Sequence, residues 1–390
     1  MGGIHAALIP AALLLIAADQ PTAADYSADA LSIEALVNAN YAYLDRFPGG
    51  KMPMTAKLRQ EAKAVSTGRE LVRYSERALE LLADHHAITG ASTKESWAIV
   101  PSYADLWVEK TRGDYVIEQV RDDSPAAKAG VVAGDRLVSV GGVPAGQAIA
   151  AFWADLGTIG GGERDNYAAR VLAAGRRDRE RQIVIQHGTS APRSLTLPNL
   201  YQAKPGDRPP LTKNQEAGAL VIRFNDSLGD DGTIAAFDQA MAKAQPGQRI
   251  VIDLRDTPSG GNTSVARAIM GWFVDRPRFY QVHNLPSEER ETGIPRQWVE
   301  QVLPRPGKHH RGPVTVRVGR WTGSMGEGLG IGFDALGARV EGTRMAGLRG
   351  AVYDFKLERS GDTIKLPAER LSAVDGTPRE RFTPRFPIGR

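Results

Sequence analysis

The chain of 390 residues contains no cysteine. This absence excludes disulfide bonds, catalysis by a thiolate, zinc sites with cysteine ligands and a lipid-modified cysteine behind a leader. The seven histidines show no HExxH spacing, the arrangement that places two histidines on one face of a zinc-binding helix. The sequence therefore predicts neither a metal ion nor an organic cofactor.

The sequence also lacks an excess of charge of one sign. Its 49 basic residues are interleaved with 45 acidic ones, which leaves a formal net charge of +4. Even the basic run from Arg176 to Arg181 carries its own acidic residues, which is typical of a solvated surface. The pattern gives no support for nucleic acid as a partner. The length and the hydrophobic content of 42% suit two or three folded domains.

Long apolar runs are scarce, and the clearest one lies near the N-terminus. Residues 6–18 are largely apolar, and small residues follow in the segment Pro21–Ala24. The run is too short to span a bilayer comfortably and resembles a secretory signal peptide, although no Lys or Arg precedes it. We expect residues 1–24 to be a signal peptide, the protein to be periplasmic or secreted, and no stable membrane span.

Residues 314–336 carry the strongest indication of chemistry. Val314–Val318 alternates β-branched residues and predicts a strand, and a helical apolar pattern follows the turn Gly323–Gly326. A serine at such a turn displays its hydroxyl at the sheet edge, beside the free amides of the first helical turn. Ser324 is therefore a candidate nucleophile. The alternative is a plain helix N-cap, with Glu327 completing a capping box.

A second glycine-rich turn follows the apolar run Arg249–Leu254, which predicts a buried strand. Gly260 and Gly261 lack a Cβ, so their amides could face a developing oxyanion, with the Met325 amide as a further donor. The alternative is a tight turn without a catalytic role. Ser259 is a rival nucleophile, but it lies inside the turn rather than at a helix start.

Two common serine-hydrolase motifs are missing around Ser324. Thr322 occupies the position of the first glycine in a GxSxG nucleophile elbow, and no lysine stands three residues after the serine. These absences disfavour the α/β-hydrolase and penicillin-binding types of site.

Two adjacent histidines follow the N-terminal helices. Apolar residues recur at helical spacing between Ala30 and Ala91, and the last predicted helix ends near Asp84-His85-His86. Histidines at a helix end are most often packing or surface residues. The functional alternative is that one of them reaches a shared cleft as a general base, since histidine titrates near neutral pH.

The rest of the chain divides by composition and periodicity. We expect an N-terminal helical region at residues 25–100, a β-rich domain at 101–203, a Pro- and Gly-rich linker at 204–216 and an α/β core at 217–390. Strands and crossover helices alternate in the core, where sites form in the loops at the carboxyl ends of strands.

The segment SPAAKAGVVAGDRLVSVGGVPA, residues 124–145, resembles the central part of a PDZ domain. PDZ domains bind extended peptide ends as an added strand at a sheet edge. The stretch from Gly157 to Arg181 exceeds what a minimal PDZ domain needs, so it is either an inserted loop or a helix with a flexible lead-in.

Three further segments resemble one family, the tail-specific or C-terminal processing proteases and their relatives around the tricorn core. VIDLRDTPSGG resembles that family's DLRxNxGG turn, and VTVRVGRWTGSMGEGLGIGF resembles its strand and TxSxxE segment with the nucleophilic serine. Residues 340–343 resemble its "GE-T" turn. The resemblance implies an α/β, multidomain fold with N-terminal helices, a PDZ-like β-rich domain and an α/β serine peptidase core.

One departure from the family pattern concerns the base. Processing proteases use a serine–lysine dyad, but Leu348 stands at the lysine position, and a neighbouring guanidinium such as that of Arg349 does not deprotonate. The tricorn-like branch takes its base from a histidine after an early helix. That resemblance implies that His86 deprotonates Ser324, with Glu327 as the supporting carboxylate or Glu380 as the alternative.

The sequence thus predicts an exported serine endopeptidase for unfolded polypeptides or protein C-terminal regions. Its partner would be a peptide or protein substrate, with binding of the substrate C-terminus at the PDZ domain as one option. The missing lysine favours a second hypothesis, an inactive PDZ-containing scaffold that binds peptides. A third hypothesis is a cleft for a small apolar ligand. The sequence leaves the oligomeric state open.

Overall fold

The computed structural model of the chain describes residues 20–203 and 208–387. Most of the predicted signal peptide lies outside this range, and its last residues, Ala23 and Ala24, begin the first described helix. Within the described ranges, no helix has both the length and the apolar character needed to cross a membrane.

The N-terminal region is helical, as the apolar spacing predicts. Its elements are α1 (Ala23–Asn40), α2 (Ala56–Ala62), α3 (Gly68–Glu80) and the short strand β1 (Ile88–Thr89). The hydroxyls of Thr22, Thr55 and Thr67 cap the three helices by accepting a backbone amide of the first turn. His85 and His86 lie in the turn between α3 and β1 rather than on the helix.

The PDZ-like domain has an antiparallel sheet in the order β2-β3-β4-β6-β7, with β5 beside β4. Its strands are β2 (Leu106–Thr111), β3 (Asp114–Val120), β4 (Arg136–Val140), β5 (Val143–Pro144), β6 (Arg181–Gln186) and β7 (Arg193–Leu197). Its helices are α4 (Pro125–Lys128), α5 (Ala145–Asp155) and α6 (Glu163–Ala174). The stretch before β6 is therefore a helix and not an inserted loop.

The remaining elements belong to the α/β core. Its strands are β8 (Leu211–Glu216), β9 (Ala219–Phe224), β10 (Ile250–Asp253), β11 (Arg278–Asn284), β12 (Gln297–Val302), β13 (Val314–Val318), β14 (Arg339–Gly342), β15 (Ala351–Lys356), β16 (Thr363–Ser372) and β17 (Phe386–Pro387). Its helices are α7 (Gly232–Met241), α8 (Thr263–Met270), α9 (Pro286–Thr292) and α10 (Met325–Ala335). The α/β multidomain fold class is confirmed.

The predicted linker is too long at its C-terminal end. Leu211–Glu216 is not a connection but strand β8, an edge strand paired antiparallel with β9 along its whole length. Five of its six residues are polar and exposed, so the strand lacks the apolar pattern that marks a buried one. Composition alone therefore suggested a loop.

The central sheet of the core has the order β17-β14-β13-β10-β9-β8. All its neighbouring pairs are parallel except β8 with β9. The residues of β10 are buried, which explains its continuous apolar sequence. Because β10 and β13 are adjacent and parallel, the glycine-rich turns that follow them meet at one edge of the sheet.

A second sheet of the core ties the N-terminal region to it. β1 pairs with β16, which also pairs with β11 and β15, and β12 lies at the edge beyond β11. The turn that carries His85 and His86 directly precedes β1. This pairing therefore fixes the position of both histidines relative to the core.

Candidate active site

Ser324 lies at the N-cap of α10, immediately after the turn that leaves β13. Its φ of 49° and ψ of −111° are a sparsely populated conformation for a residue with a Cβ. The preceding turn is held firmly, since the Thr322 hydroxyl donates to the Leu254 carbonyl at 2.8 Å and accepts from the Gly319 amide at 3.0 Å. The surrounding turn thus imposes the strained serine geometry, with Ser324 half-buried while the helix behind it is buried.

The glycines on either side of Ser324 allow the two turns to touch. A Cβ on Gly323 would lie 2.5 Å from the Pro258 carbonyl oxygen, and one on Gly326 would lie 2.5 Å from the Thr257 hydroxyl oxygen. The Gly323 amide also donates to the Thr257 carbonyl at 3.1 Å. Only glycine permits so close an approach of the Ser324 turn to the Thr257–Pro258 turn.

Gly260 is placed directly against the serine. Its φ of +72° suits glycine, and a Cβ built there would lie 2.4 Å from Ser324 Cβ and 2.9 Å from Ser324 Oγ. Gly261 also leaves no room for a side chain, but its neighbour is the backbone of Leu228. A Cβ built on Gly261 would lie 2.1 Å from the Leu228 carbonyl. The structure therefore brings Gly260 and Met325 to Ser324, with Gly261 one residue further along.

The amides of this turn differ in their hydrogen bonds. The Gly260 amide donates to the Thr257 carbonyl over a long 3.4 Å. Within residues 20–203 and 208–387, no hydrogen bond engages the amide of Gly261 or of Met325. The Met325 amide, next to the serine, and the Gly261 amide, in the turn that touches it, are thus free to meet negative charge that develops on a bound carbonyl.

Glu327 is fully buried and binds three backbone amides. Its Oε2 accepts from Ser324 at 2.9 Å and from Leu348 at 3.2 Å, and its Oε1 accepts from Gly347 at 2.8 Å. The Glu327 half of the capping box that the sequence predicts, a carboxylate that accepts the Ser324 amide, is therefore present. Burial raises the pKa of Glu327 to about 7, against the positive charge of Arg379 and these amides. The side chain locks the serine turn to the segment from Gly347 to Leu348.

That segment carries Leu348 where the family lysine would stand. The Leu348 side chain is buried, and its Cδ1 would lie 3.2 Å from a Cβ on Gly323. An apolar side chain therefore packs directly behind the Ser324 turn. The carbonyls of Leu348 and Gly350 both accept from the buried Arg379 guanidinium, at 3.2 and 2.7 Å.

His86 lies at the other end of this segment. Its Nδ1 is 2.6 Å from the Arg349 carbonyl oxygen, which can only accept, so Nδ1 carries the proton and Nε2 presents a lone pair. Asp84 fixes the turn by accepting the His86 amide at 3.0 Å and the Tyr41 hydroxyl at 2.7 Å. Burial, helped by the charge of Arg379, lowers the pKa of His86 to about 4. The imidazole is therefore neutral over the physiological range.

His86 and Ser324 flank the same segment but are not hydrogen-bonded. Among the bonds of the described residues none joins the two side chains, and none joins His86 to Glu327. Leu348 and Arg349 lie between them along the segment. A base that serves Ser324 would have to close this gap when a substrate binds.

The neighbouring His85 has a different environment. Its ring stacks on Tyr167 of the PDZ-like domain, with centroids 4.4 Å apart, and its buried Nε2 has no hydrogen-bond partner in the described structure. Burial holds the pKa of His85 well below its usual value. His85 thus packs between two domains, while His86 turns toward the core.

Glu380 and Ser259 complete the predicted set. One buried carboxylate oxygen of Glu380 lacks a hydrogen-bond partner among the described residues, and Glu380 lines the same cleft as Gly347 and Leu348. Ser259, the rival nucleophile, donates its hydroxyl to Asp226 at 2.7 Å and its amide to the same carboxylate at 2.9 Å. No histidine belongs to that pair.

Sequence reasoning missed the contacts that are made by the backbone. The carbonyl of Arg349 orients His86, and the amides of Gly347 and Leu348 bind Glu327. Neither role depends on the type of side chain, so the sequence does not indicate it. Asp84 did carry a signal, since a buried acid two residues before a histidine is well placed to fix its backbone. In the described part of the chain, no group of His, Asp and Glu is arranged to hold a metal ion.

Comparison with family models matches two parts of the chain. Residues 116–151 match the PDZ domain, and residues 218–386 match peptidase family S41. A comparison with curated protein sequences finds no significant match. The two matched segments contain the motifs on which both sequence resemblances depended, and those resemblances are confirmed.

Solved structures of the same overall fold cover nearly the whole chain. The photosystem II D1 C-terminal processing protease is 17% identical with a TM-score of 0.56, and 93% of each chain is covered. Mature CPAF complexed with lactacystin is 14% identical with a TM-score of 0.58, covering 94% of each chain. A lipoprotein from Streptococcus agalactiae is 10% identical with a TM-score of 0.51, covering 96% of this chain and 95% of that one. At these identities the likeness establishes a common fold.

Proposed function

Because residues 218–386 match peptidase family S41 and residues 116–151 ahead of them match a PDZ domain, we propose that the chain is an exported serine endopeptidase. Its substrates would be unfolded polypeptides or the C-terminal regions of proteins. The observation that carries the proposal is Ser324, which is held in a strained conformation at a helix start, next to the free Met325 amide and against the glycine turn of Gly260 and Gly261.

In the proposed reaction, Ser324 Oγ attacks the carbonyl carbon of the scissile peptide bond. The Met325 amide and the Gly261 amide donate to the oxygen of the tetrahedral intermediate, and Gly260 keeps the second turn against the serine. Water then hydrolyses the acyl-enzyme and restores the hydroxyl. The donors belong to two rigid turns, so they require little rearrangement.

His86 is the proposed general base. Its protonated Nδ1 is held by the Arg349 carbonyl, which leaves Nε2 to accept the proton of Ser324 and to return it to the leaving amine. Closing the gap to Ser324 requires movement of the segment from Gly347 to Gly350, which is the proposed response to a bound substrate. The lowered pKa of His86 keeps the ring in the basic form.

The supporting carboxylate is better assigned to Glu380 than to Glu327. Both oxygens of Glu327 accept backbone amides, which gives it the role of a buried brace for the serine turn. Glu380 has an oxygen with no partner in the described structure, and its charge acts on the guanidinium of Arg349 at the end of the segment that holds His86. Its negative charge would stabilise an imidazolium that forms during the reaction.

The test is labelling by a fluorophosphonate, which reacts with activated serine hydroxyls. We expect the wild-type chain and Ser259→Ala to be labelled and Ser324→Ala not to be. Equal labelling of wild type and Ser324→Ala would eliminate Ser324. For the base, His86→Ala should abolish cleavage of a reduced and carboxymethylated protein, while substrate binding persists.

The second candidate is an inactive PDZ-containing scaffold of the same fold that binds peptides. It is favoured by Leu348 at the lysine position and by the lack of a hydrogen bond between His86 and Ser324 within the described residues. A scaffold would bind the carboxymethylated protein but neither cleave it nor react with the fluorophosphonate. Cleavage by the wild type that disappears in His86→Ala would exclude it.

A further inference from the structure

A large cleft opens where the three parts of the chain meet. It has a volume of about 1130 Å³ and is lined by the N-terminal region, the PDZ domain and the peptidase core. Its wall on the core side includes the segment from Ala346 to Arg349. Since Leu348 packs behind the Ser324 turn and Glu327 joins that segment to Ser324, the cleft adjoins the candidate active site.

The cleft is rich in arginine. Its lining contains eight arginines and five carboxylates. Five of the arginines make ion pairs with three of those carboxylates, Glu163, Glu109 and Asp45. Of the other two carboxylates, Asp84 accepts the Tyr41 hydroxyl and the His86 amide, and Glu380 lies near Arg349. The lining as a whole therefore keeps an excess of positive charge.

Three of the arginines have no ion pair within the described residues: Arg164, Arg344 and Arg381. Arg344 and Arg381 are exposed at the cleft, the first in the loop after β14 and the second at the end of a short 3-10 helix, Arg379–Arg381. Guanidinium groups present several donors in a planar array that matches a carboxylate. Two unpaired guanidinium groups at one cleft therefore make a suitable receptor for an anionic side chain.

Arg164 gives a second and independent indication. Its guanidinium lies 4.2 Å from the Trp153 ring centroid, and its buried Nε has no hydrogen-bond partner in the described structure. Its single side-chain hydrogen bond there is a weak one to the Thr158 hydroxyl at 3.4 Å. Burial and the nearby charge of Arg46 lower the pKa of Arg164. A bound carboxylate would offset both effects.

We propose that this cleft binds acidic side chains of the polypeptide substrate and so selects acidic segments near the scissile bond. The inference rests on the proposed function, because it takes the cleft to continue the substrate path from Ser324. The lining favours a polypeptide, since the cleft is large, open to solvent and built by three parts of the chain. The selectivity should weaken as salt is added, because the arginines are partly exposed.

The test measures binding rather than cleavage, so that it does not depend on catalysis. A labelled unstructured peptide that carries several glutamates is compared with its glutamine counterpart by fluorescence anisotropy, with the full-length Ser324→Ala chain. We expect the glutamate peptide to bind about tenfold more tightly at low salt. Adding Arg344→Ser and Arg381→Ser together should remove this preference, because both residues are exposed and their loss should leave the fold intact.

The matched control is the pair Arg276→Ser and Arg311→Ser, which removes the same charge from exposed positions outside the cleft. The control pair should keep the tenfold preference. Equal binding of the two peptides to the parent chain would overturn the proposal, and so would a preference that survives in the cleft variant. The proposal would also be wrong if amidating the C-terminus abolished binding of the glutamate peptide, because the chain end would then be the ligand. A preference without fluorophosphonate labelling would refute only the proposed catalysis.

Discussion

Gly260→Ala offers the sharpest test of the proposed oxyanion geometry. Gly260 has a φ of +72°, and an added Cβ would lie 2.4 Å from Ser324 Cβ and 3.0 Å from the Met325 amide nitrogen. Gly247 is a matched control in the same core, because its φ is +73° but nothing lies within 4 Å of its Cβ position. The two substitutions share the backbone strain and differ in the steric clash alone.

The expected magnitudes follow from those distances. An alanine at positive φ costs about 1–2 kcal/mol of folding free energy, and both variants should lose this amount. Carbon atoms normally pack at about 3.5–4.0 Å, so in Gly260→Ala the turn and Ser324 must separate by about 1 Å. A displacement of that size at a reacting group costs about 100-fold in rate. Overpacking adds about 1–3 kcal/mol of destabilisation to Gly260→Ala.

The assay combines urea denaturation with the rate of fluorophosphonate labelling under conditions where both variants are folded. We expect Gly247→Ala to be labelled at the wild-type rate and Gly260→Ala about 100-fold more slowly. Labelling of Gly260→Ala at the wild-type rate would refute the reasoning, because the contact between the two turns would then have no part in activating Ser324.

Three other predictions concern the titratable groups Glu327, His86 and Glu80. Glu327→Gln can keep only one acceptor oxygen for three amides, so it should lower the free energy of unfolding in urea by about 1–3 kcal/mol. The control Glu289→Gln, at an exposed position, should change it by less than about 0.5 kcal/mol. Equal losses in the two variants would contradict the role of Glu327 as a buried brace. The fluorophosphonate labelling rate should stay constant as the pH falls and drop only near pH 4, because burial lowers the pKa of His86 to about 4; a midpoint near 6.5 would point to another base. Burial raises the pKa of Glu80 from 4.5 to about 8. Between these two pH values the folded state keeps a proton that the unfolded state has released, so the free energy of unfolding should fall as the pH rises from 4.5 to about 8. Glu80→Gln should therefore raise the melting temperature at about pH 9 and leave it unchanged at about pH 4, and the same change at both values would show that Glu80 is not the titrating group.

Much of the fold could be predicted because its signals are local. The alternation in Val314–Val318 and the apolar run of β10 predicted strands that the structure contains, and the turn after β13 starts a helix at Met325 as expected. The predicted linker, residues 204–216, extends into strand β8 because β8 is an exposed edge strand, and an edge strand need not carry an apolar pattern.

The candidate site was predictable only in part, for a different reason. Ser324 and the glycine turn are marked by their own sequence, since glycine is required where two backbones touch. Two further contacts join distant segments through backbone atoms. Glu327 accepts the amides of Gly347 and Leu348, and His86 is hydrogen-bonded to the Arg349 carbonyl. Every residue has such atoms, so no sequence pattern could reveal these roles.

The sequence by itself determined the order of the domains, the strand and helix that carry Ser324, and the positions that must be glycine. These features depend on side-chain periodicity and on backbone conformations that few residues tolerate. Only the tertiary structure decided that Glu327 braces the serine turn, that His86 stands apart from Ser324 and that unpaired arginines gather at one cleft. Those outcomes depend on contacts between segments that are distant in the sequence. Burial at these contacts sets hydrogen bonds and pKa values that no segment possesses alone.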